Sequence, residues 1–105
     1  MTECIFCEII KAKPKNIVYE NKHLIVLHDI KPKADVHLLI ISKKHVKNLQ
    51  YISDQDKNML GEMLLIIPKL SEMFDTYDSF KIIINNGKKA KQEIDHMHFH
   101  FLGYK

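Results

Sequence analysis

Three histidines, His96, His98 and His100, alternate with Met97, Phe99 and Phe101 and run on into Leu102. Alternation at period two is the pattern of a β-strand with one buried face. At a rise of about 3.3 Å per residue, successive histidines on the other face stand roughly 7 Å apart. Neighbouring imidazoles can then act on one small group from two sides. Three uses fit. His98 can be a nucleophile while its neighbours hold an oxyanion or protonate a leaving group. His-x-His on a strand can converge on zinc, giving a metal-dependent hydrolase. Or the histidines form a solvated polar face. A nucleophilic imidazole is available near pH 7, since its ordinary pKa is about 6.5, and it needs an acceptor on its second nitrogen to fix the tautomer.

Other residues carry chemistry of their own. Cys4 and Cys7 stand three apart in a helical pattern. A thiol pair at that spacing supplies two of the four ligands of a structural zinc site, a redox pair, or two small half-buried side chains. Redox chemistry usually sets such a pair after a strand, and none precedes this one. Asp29 follows a strand-like run, where a carboxylate can accept hydrogen bonds from both hydroxyls of a ribose or close a turn. Asn85 precedes Asn86-Gly87, a strong turn signal, and reads as part of that turn. His45 alone reads as a surface histidine.

The elements that must position these residues follow in chain order. Ile5, Phe6 and Ile9 recur at helical spacing, and Pro14 bounds a short helix. Residues 17–20 and 24–28 form a hairpin around a polar turn, and Pro32 prevents continuation of the second strand. Residues 37–42 make a continuous apolar run, as in a central strand. Ser53 and Asp56 resemble a capping box ahead of the main helix. Met59, Leu60, Met63, Leu64, Ile66, Ile67, Leu70, Met73 and Phe74 then recur at three and four, a stripe for a core and a dimer surface. Gly61 inside it predicts close packing against a neighbour, and Pro68 a kink. Residues 80–85 make a fourth strand and the histidine stretch a fifth. The fold expected is α+β, a five-stranded antiparallel sheet with one short and one long helix.

A chain of 105 residues with 46% apolar content is expected to form a single domain over residues 1–105, with a core small enough that dimerisation or a metal would help it. The formal net charge of +3 is a weak basic excess and makes no case for nucleic acid. Lys88, Lys89 and Lys91 read as a solvated loop. Met1-Thr2-Glu3 lacks the basic and apolar regions of a signal peptide, and no apolar run is long enough to span a membrane, so the cytoplasm is expected.

The histidine stretch, Cys4-x-x-Cys7, His28-Asp29-Ile30, the run from His37 to His45, and Gln92 ahead of the histidines together resemble the histidine triad (HIT) superfamily over close to the whole chain. The branch most resembled is the Hint-like one of nucleoside phosphoramide hydrolases. The resemblance implies that His98 attacks the α-phosphorus of a nucleoside 5′-phosphoramidate, an AMP-linked amine. The backbone carbonyl of His96 would hold its tautomer, and His100 and backbone amides near Gln92 would stabilise the phosphoryl oxygens. Water then cleaves the nucleotidyl-histidine. It further implies Asp29 on the ribose with His28 and Ile30 flanking, Asn85 at the phosphate end, and Ile5, Phe6, Ile9 and Leu39 around a purine base. A subset of the superfamily joins Cys-x-x-Cys to two histidines, here Cys4, Cys7, His45 and His96, implying a structural zinc and no metal in catalysis. The partners implied are an AMP-like nucleotide and a second copy of the chain, the two sheets joining into ten strands. The alternatives are dinucleoside polyphosphate hydrolysis, or a nucleotide-binding scaffold with little catalysis.

The chain departs from that pattern at Ser42, where proline is usual, at Lys91, which replaces glycine, and at Glu93, where Hint proteins often have a serine that helps hold phosphate. If the backbone at 91 needs positive φ, lysine there costs activity or redirects it. A glutamate at 93 repels an anionic phosphate unless it points away. Hint-like proteins also continue past this point into a short tail that shapes substrate choice.

Overall fold

Runs of alternating and continuous apolar sequence become one antiparallel sheet. The computed structural model describes residues 4–105; Met1, Thr2 and Glu3, on which the absence of a leader was read, lie outside the described residues. The elements are helix α1 (Ile5–Ala12), strands β1 (Tyr19–Glu20), β2 (Leu24–His28) and β3 (Val36–Ser42), helix α2 (Lys57–Met73), and strands β4 (Phe80–Ile83) and β5 (His98–Gly103). Strand order is β1-β2-β3-β5-β4, every pairing antiparallel. The histidine strand is therefore inserted between β3 and β4.

Pairing register decides which residues share a face. Ile25 lies opposite Ile41, and Ile41 opposite His98; Leu27 lies opposite Leu39, and Leu39 opposite His100, with Ile83 across from His100 on the other side. Those residues form the chemical face. The opposite face presents Leu24, Val26, Leu38, Ile40, Met97, Phe99 and Phe101 to Met59, Met63, Ile66, Ile67 and Leu70 of α2, making the main core. Removing this much apolar surface from water is the largest stabilising term available. A second cluster joins Phe6, Ile9 and Ile10 of α1 to Ile25, Leu27, Leu39 and Ile41, so α1 lies across the chemical face.

The capping box ahead of α2 forms as expected. Ser53 accepts from the Gln55 amide, and the Asp56 carboxylate accepts from the Ser53 amide at 2.9 Å while pairing with Lys44 at 2.7 Å. The turn it caps is 3₁₀ over Asp54–Asp56 before the α-helix begins. Pro68 does not end α2, which runs on to Met73. Its missing N–H faces the solvent side with exposed Leu64, whose carbonyl water can satisfy.

Three expectations need correction. Gly61 packs closely against nothing: a Cβ there meets no atom within 4 Å, because Gly61 faces an open concavity shared with His23, Asn58 and Leu65. Strand β1 holds two residues, since only Tyr19 and Glu20 pair with β2. Strand β4 stops at Ile83, leaving Asn85 in the following turn, where its side-chain amide donates to the Ala90 carbonyl at 2.9 Å. No helix among the described residues is long and apolar enough to cross a membrane.

Candidate active site

β5 carries its histidines as the alternation requires, and the backbone then fixes their protons. Nδ1 of His98 lies 2.8 Å from the backbone carbonyl of His96. A carbonyl only accepts, so Nδ1 carries the hydrogen and Nε2 is left with a bare lone pair. Phe6 of α1 closes edge-on over the ring at 5.0 Å between centroids, and His98 is buried. Burial holds its pKa below the usual imidazole value; the bond to His96 and the charges of Asp29 and Glu93 pull the other way and are outweighed. His98 is thus a neutral, oriented base or nucleophile near pH 7.

His100 stands edge-on to His98 at 5.1 Å between ring centroids. Its Nδ1 lies 3.0 Å from Nε2 of His37, and a carboxylate oxygen of Asp29 lies 3.4 Å from the same His37 nitrogen. The other oxygen of Asp29 accepts from the Lys31 amide at 2.8 Å, which turns the chain out of β2 and directs the side chain onto the chemical face. Burial lowers His37, against the pull of Asp29. Burial also lowers His100, with His98 and His37 adding to it.

A second constellation lies behind His98. Cys4 Sγ is 3.3 Å from Nδ1 of His96, Cys7 Sγ is 3.2 Å from Nδ1 of His45, and the two Nδ1 atoms are 3.1 Å apart. All four donor atoms lie within 4.8 Å of one another. With bonds of about 2.0–2.1 Å to nitrogen and 2.3 Å to sulfur, a tetrahedral ion asks for edges of roughly 3.3–3.8 Å, which these spacings approach. Nε2 of His96, wholly buried, donates to the Ser42 carbonyl at 2.6 Å. That bond leaves Nδ1 bare and aimed at the thiols, as a carbonyl behind a metal-binding histidine orients its ring. The four residues can hold a metal ion. Burial, and after it Cys4, push the Cys7 thiol up; a divalent cation is the group that reverses that ordering.

Asp29, His37 and His100 also bring one nitrogen or oxygen each within that range, but their protons are wrong for a cation. The Lys33 amide donates to Nδ1 of His37 at 3.1 Å, so the proton of neutral His37 sits on Nε2, the atom a metal would need.

The remaining residues distribute as follows. Asp29, Leu39, Phe6 and Ile9 come together around His98 and His100 on the chemical face. Ile5 is exposed on α1, and Ile30 is 91% exposed beside Asp29. His28 does not join them. It follows Leu24 and Val26 onto the other face and stacks edge-on against Phe74 at 5.6 Å, because neighbouring strand residues point to opposite sides. Gln92 is spoken for inside the protein. Its side chain donates to the Lys47 and Ile94 carbonyls and accepts from Asn48 and the Gly87 amide, while its own amide bonds to the Gly87 carbonyl. It knits the 45–50 and 85–95 loops and has no side-chain donor left for a ligand. His37 is the residue that sequence reasoning missed. It reads as the polar end of an apolar strand, and only the β3–β5 register brings it beside His100.

The HIT domain family model matches residues 11–105. The chain belongs to the HIT family. Protein HitA of Neisseria gonorrhoeae is 38% identical over 98% of this chain and 97% of its own length. A HIT family hydrolase from Clostridium thermocellum superposes with a TM-score of 0.91 at 35% identity, covering 98% of this chain and 91% of that one. One from Legionella pneumophila gives 0.90 at 33% identity, covering 96% and 92%. The family match begins after Cys4 and Cys7, so both thiols of this Cys/His cluster come from outside the matched HIT segment.

Two departures from the HIT pattern acquire a structural meaning. The Ser42 hydroxyl, which proline lacks, donates to the Lys44 carbonyl at 2.9 Å and reaches the Met97 carbonyl at 3.4 Å, while the backbone carbonyl that anchors His96 is one that proline would present as well. Lys91 has φ 68° and ψ 32°, the left-handed conformation that glycine adopts freely and that costs other residues about 1–2 kcal/mol. The loop thus keeps the shape that glycine serves and holds strain. Lys91→Gly is expected to stabilise the protein by roughly 0.5–1 kcal/mol, the relief being partly offset by added freedom of the unfolded chain. A urea melt checks this, and a destabilised variant would mean the Lys91 side chain makes contacts worth more than the strain.

Proposed function

We propose that this HIT protein hydrolyses nucleoside 5′-phosphoramidates, purine nucleotides such as AMP linked to an amine, through a nucleotidyl-histidine on His98. The observation that carries the reading is the 2.8 Å bond from His98 to the His96 carbonyl, which leaves Nε2 bare, neutral and beside His100. Nε2 attacks the α-phosphorus as the bond to the amine breaks, and the amine departs with a proton taken up from solvent; water then cleaves the phosphorus–histidine bond, its oxygen going to phosphorus and its proton to solvent, to give AMP and free His98. His100 and backbone amides of the 85–95 loop steady the phosphoryl oxygens. Asp29 accepts from the ribose hydroxyls, Asn85 lies at the phosphate end, and Ile5, Phe6, Ile9, Leu39 and Ile30 offer apolar surface to the base. His28 has no part in this, its side chain being on the α2 face.

Zinc is the metal that best suits two thiolates and two imidazoles at tetrahedral spacing. It would tie the start of α1 to the segment after β3 and the segment before β5 and take no step in the reaction. The chain acts as one domain and pairs with a second copy; exposed Leu64 and Leu65 with the open ground beside Gly61 support a helix face for that contact. Two free thiols suit a reducing compartment such as the cytoplasm.

Single-turnover AMP release from an adenosine phosphoramidate, at excess protein, tests the reading. Release is expected to be full near neutral pH and to fall on the acid side with a midpoint below the ordinary imidazole value of about 6.5. His98 must be neutral to attack, and burial keeps it neutral to lower pH. A midpoint at or above that value would take the role away from His98. Release from dinucleoside polyphosphates alone would favour that substrate class, and tight AMP binding with no release would favour a nucleotide-binding scaffold.

A further inference from the structure

We propose that Cys4 and Cys7 are a reversible oxidation site: hydrogen peroxide joins them as a disulfide, and that disulfide and a bound metal ion exclude one another. The proposal rests on the reading of Cys4, Cys7, His45 and His96 as a metal site and is independent of the reaction proposed for His98. Cys4 is the N-cap of α1, with extended backbone (φ −131°, ψ 116°), and its sulfur accepts from the Cys7 amide at 3.4 Å. An N-cap side chain bonded to the amide three residues on is folded back over the first turn, so it lies against the side chain of Cys7. Cα atoms three residues apart on a helix stand about 5 Å from each other, inside the roughly 4.4–6.8 Å that a disulfide bridges. The two sulfurs already lie within 4.8 Å of one another. Rotation about the Cα–Cβ bonds can close them to the bonded distance of about 2.05 Å without moving the backbone of the turn.

Exposure sets the order of events. Among the described residues Cys4 is buried, Cys7 is half-buried, and His45 beside Cys7 is exposed. Peroxide therefore reaches Cys7 first. The Cys7 sulfur takes one oxygen from peroxide to become a sulfenic acid, and the first water leaves. The Cys4 sulfur then attacks the Cys7 sulfur, the sulfur–oxygen bond breaks, and hydroxide leaves with the Cys4 proton as the second water. One peroxide is reduced and two thiols are oxidised to one disulfide. In the metal-loaded chain the two thiolates start without those protons; two come from solvent, and the divalent ion departs. Burial, and after it Cys4, hold the Cys7 thiol protonated, so the metal-free pair answers sustained oxidant and not a brief pulse. The disulfide ties up both sulfurs. Nδ1 of His45 and of His96, 3.1 Å apart, remain as two neutral donors where a tetrahedral ion asks for four. Oxidation thus releases the ion and reduction readmits it. The chemical face keeps its order: Nε2 of His96 still donates to the Ser42 carbonyl, and the His96 carbonyl still holds His98. Metal content and stability change, and the orientation of His98 does not.

Zinc-loaded protein treated with hydrogen peroxide tests the exchange, with released zinc read by a colorimetric chelator and the chain by intact mass. One zinc per chain is expected to be released in step with the loss of two hydrogens from the mass, and both changes are expected to reverse on adding a dithiol reductant and zinc. The oxidised protein is expected to melt at or near the midpoint of chelator-treated protein, since a disulfide closing so short a loop restores little stability. In Cys4→Ser the second sulfur is gone, so Cys7 is expected to run on to the irreversible sulfinic and sulfonic acids, gaining two or three oxygens and forming no intramolecular disulfide. Should that variant not fold, the unaltered protein still decides the matter. Sulfinic or sulfonic products in the unaltered protein, a disulfide that leaves zinc bound, or a chain that takes up no zinc would each overturn the proposal. Failure of AMP release from every phosphoramidate would leave these readouts where they are and would defeat only the reaction assigned to His98.

Discussion

His98→Ala is expected to remove turnover while leaving nucleotide binding in place. Alanine deletes the bare ring nitrogen Nε2, which the bond from Nδ1 to the His96 carbonyl orients and which is open to solvent, and loss of a nucleophile that works as a unit with its neighbours costs about 10⁴–10⁶-fold in rate. Binding survives because the surfaces proposed for the base and ribose come from Asp29, Leu39 and α1. The packing cost falls mainly on Phe6, which meets the ring edge-on at 5.0 Å between centroids. Rapid-quench measurement of AMP release, alongside calorimetric titration with AMP, separates the two effects. Turnover within tenfold of the unaltered protein would remove the covalent intermediate from the mechanism. Loss of both binding and turnover would assign His98 to holding the pocket together.

The second large effect is expected from removing metal. If the Cys4, Cys7, His45 and His96 cluster binds zinc only in the folded state, a free metal level of about 1,000 times Kd adds about 4 kcal/mol. For a domain near this size each kcal/mol moves the melting midpoint by roughly 4–8 °C. A strong chelator is therefore expected to lower the midpoint by roughly 15–30 °C, and Cys4→Ser to do the same without chelator. Below the lowered midpoint, AMP release should continue, since no step of the proposed reaction runs through the cluster. An unchanged melting curve would mean that the four residues hold no metal. Chemistry that stops with chelator while the fold persists, and returns with zinc, would move the metal into the reaction.

What could be read from sequence was what repeats. Alternation at 97–101 fixed both the strand and its faces, and the three-and-four spacing of α2 found the core, because burial acts on whole faces and leaves a period behind. Single residues were legible only where a local rule governs them, as at Ser53 and Asp56. Gly61 was misread because a glycine carries no sign of whether space or a neighbour lies beside it. His28 was misread because a motif names neighbours in sequence while a strand sends neighbours to opposite faces. His37 was passed over because its partner is 63 residues away, and pairing register at that distance is invisible without the sheet. The Cys/His cluster needed the same long-range information: spacing offered Cys4 and Cys7, while His45 and His96 joined them through the resemblance and then through the fold.

The position of β5 has a consequence for how the protein comes into being. Its pairing with β3 joins residues as far apart as Val36 and Gly103, with α2 and β4 between them in the chain. Closing so long a loop is entropically late and kinetically slow. Until it closes, β3 and β4 have no common neighbour, the apolar face under α2 lacks Phe99 and Phe101, and His98 has no place to sit. His98 and the middle of the sheet thus arrive in one cooperative event. A partly folded copy would lack the site proposed for the reaction, so activity per molecule is expected to count native chains. The exposed inner edges of β3 and β4 before that event are where self-association would begin.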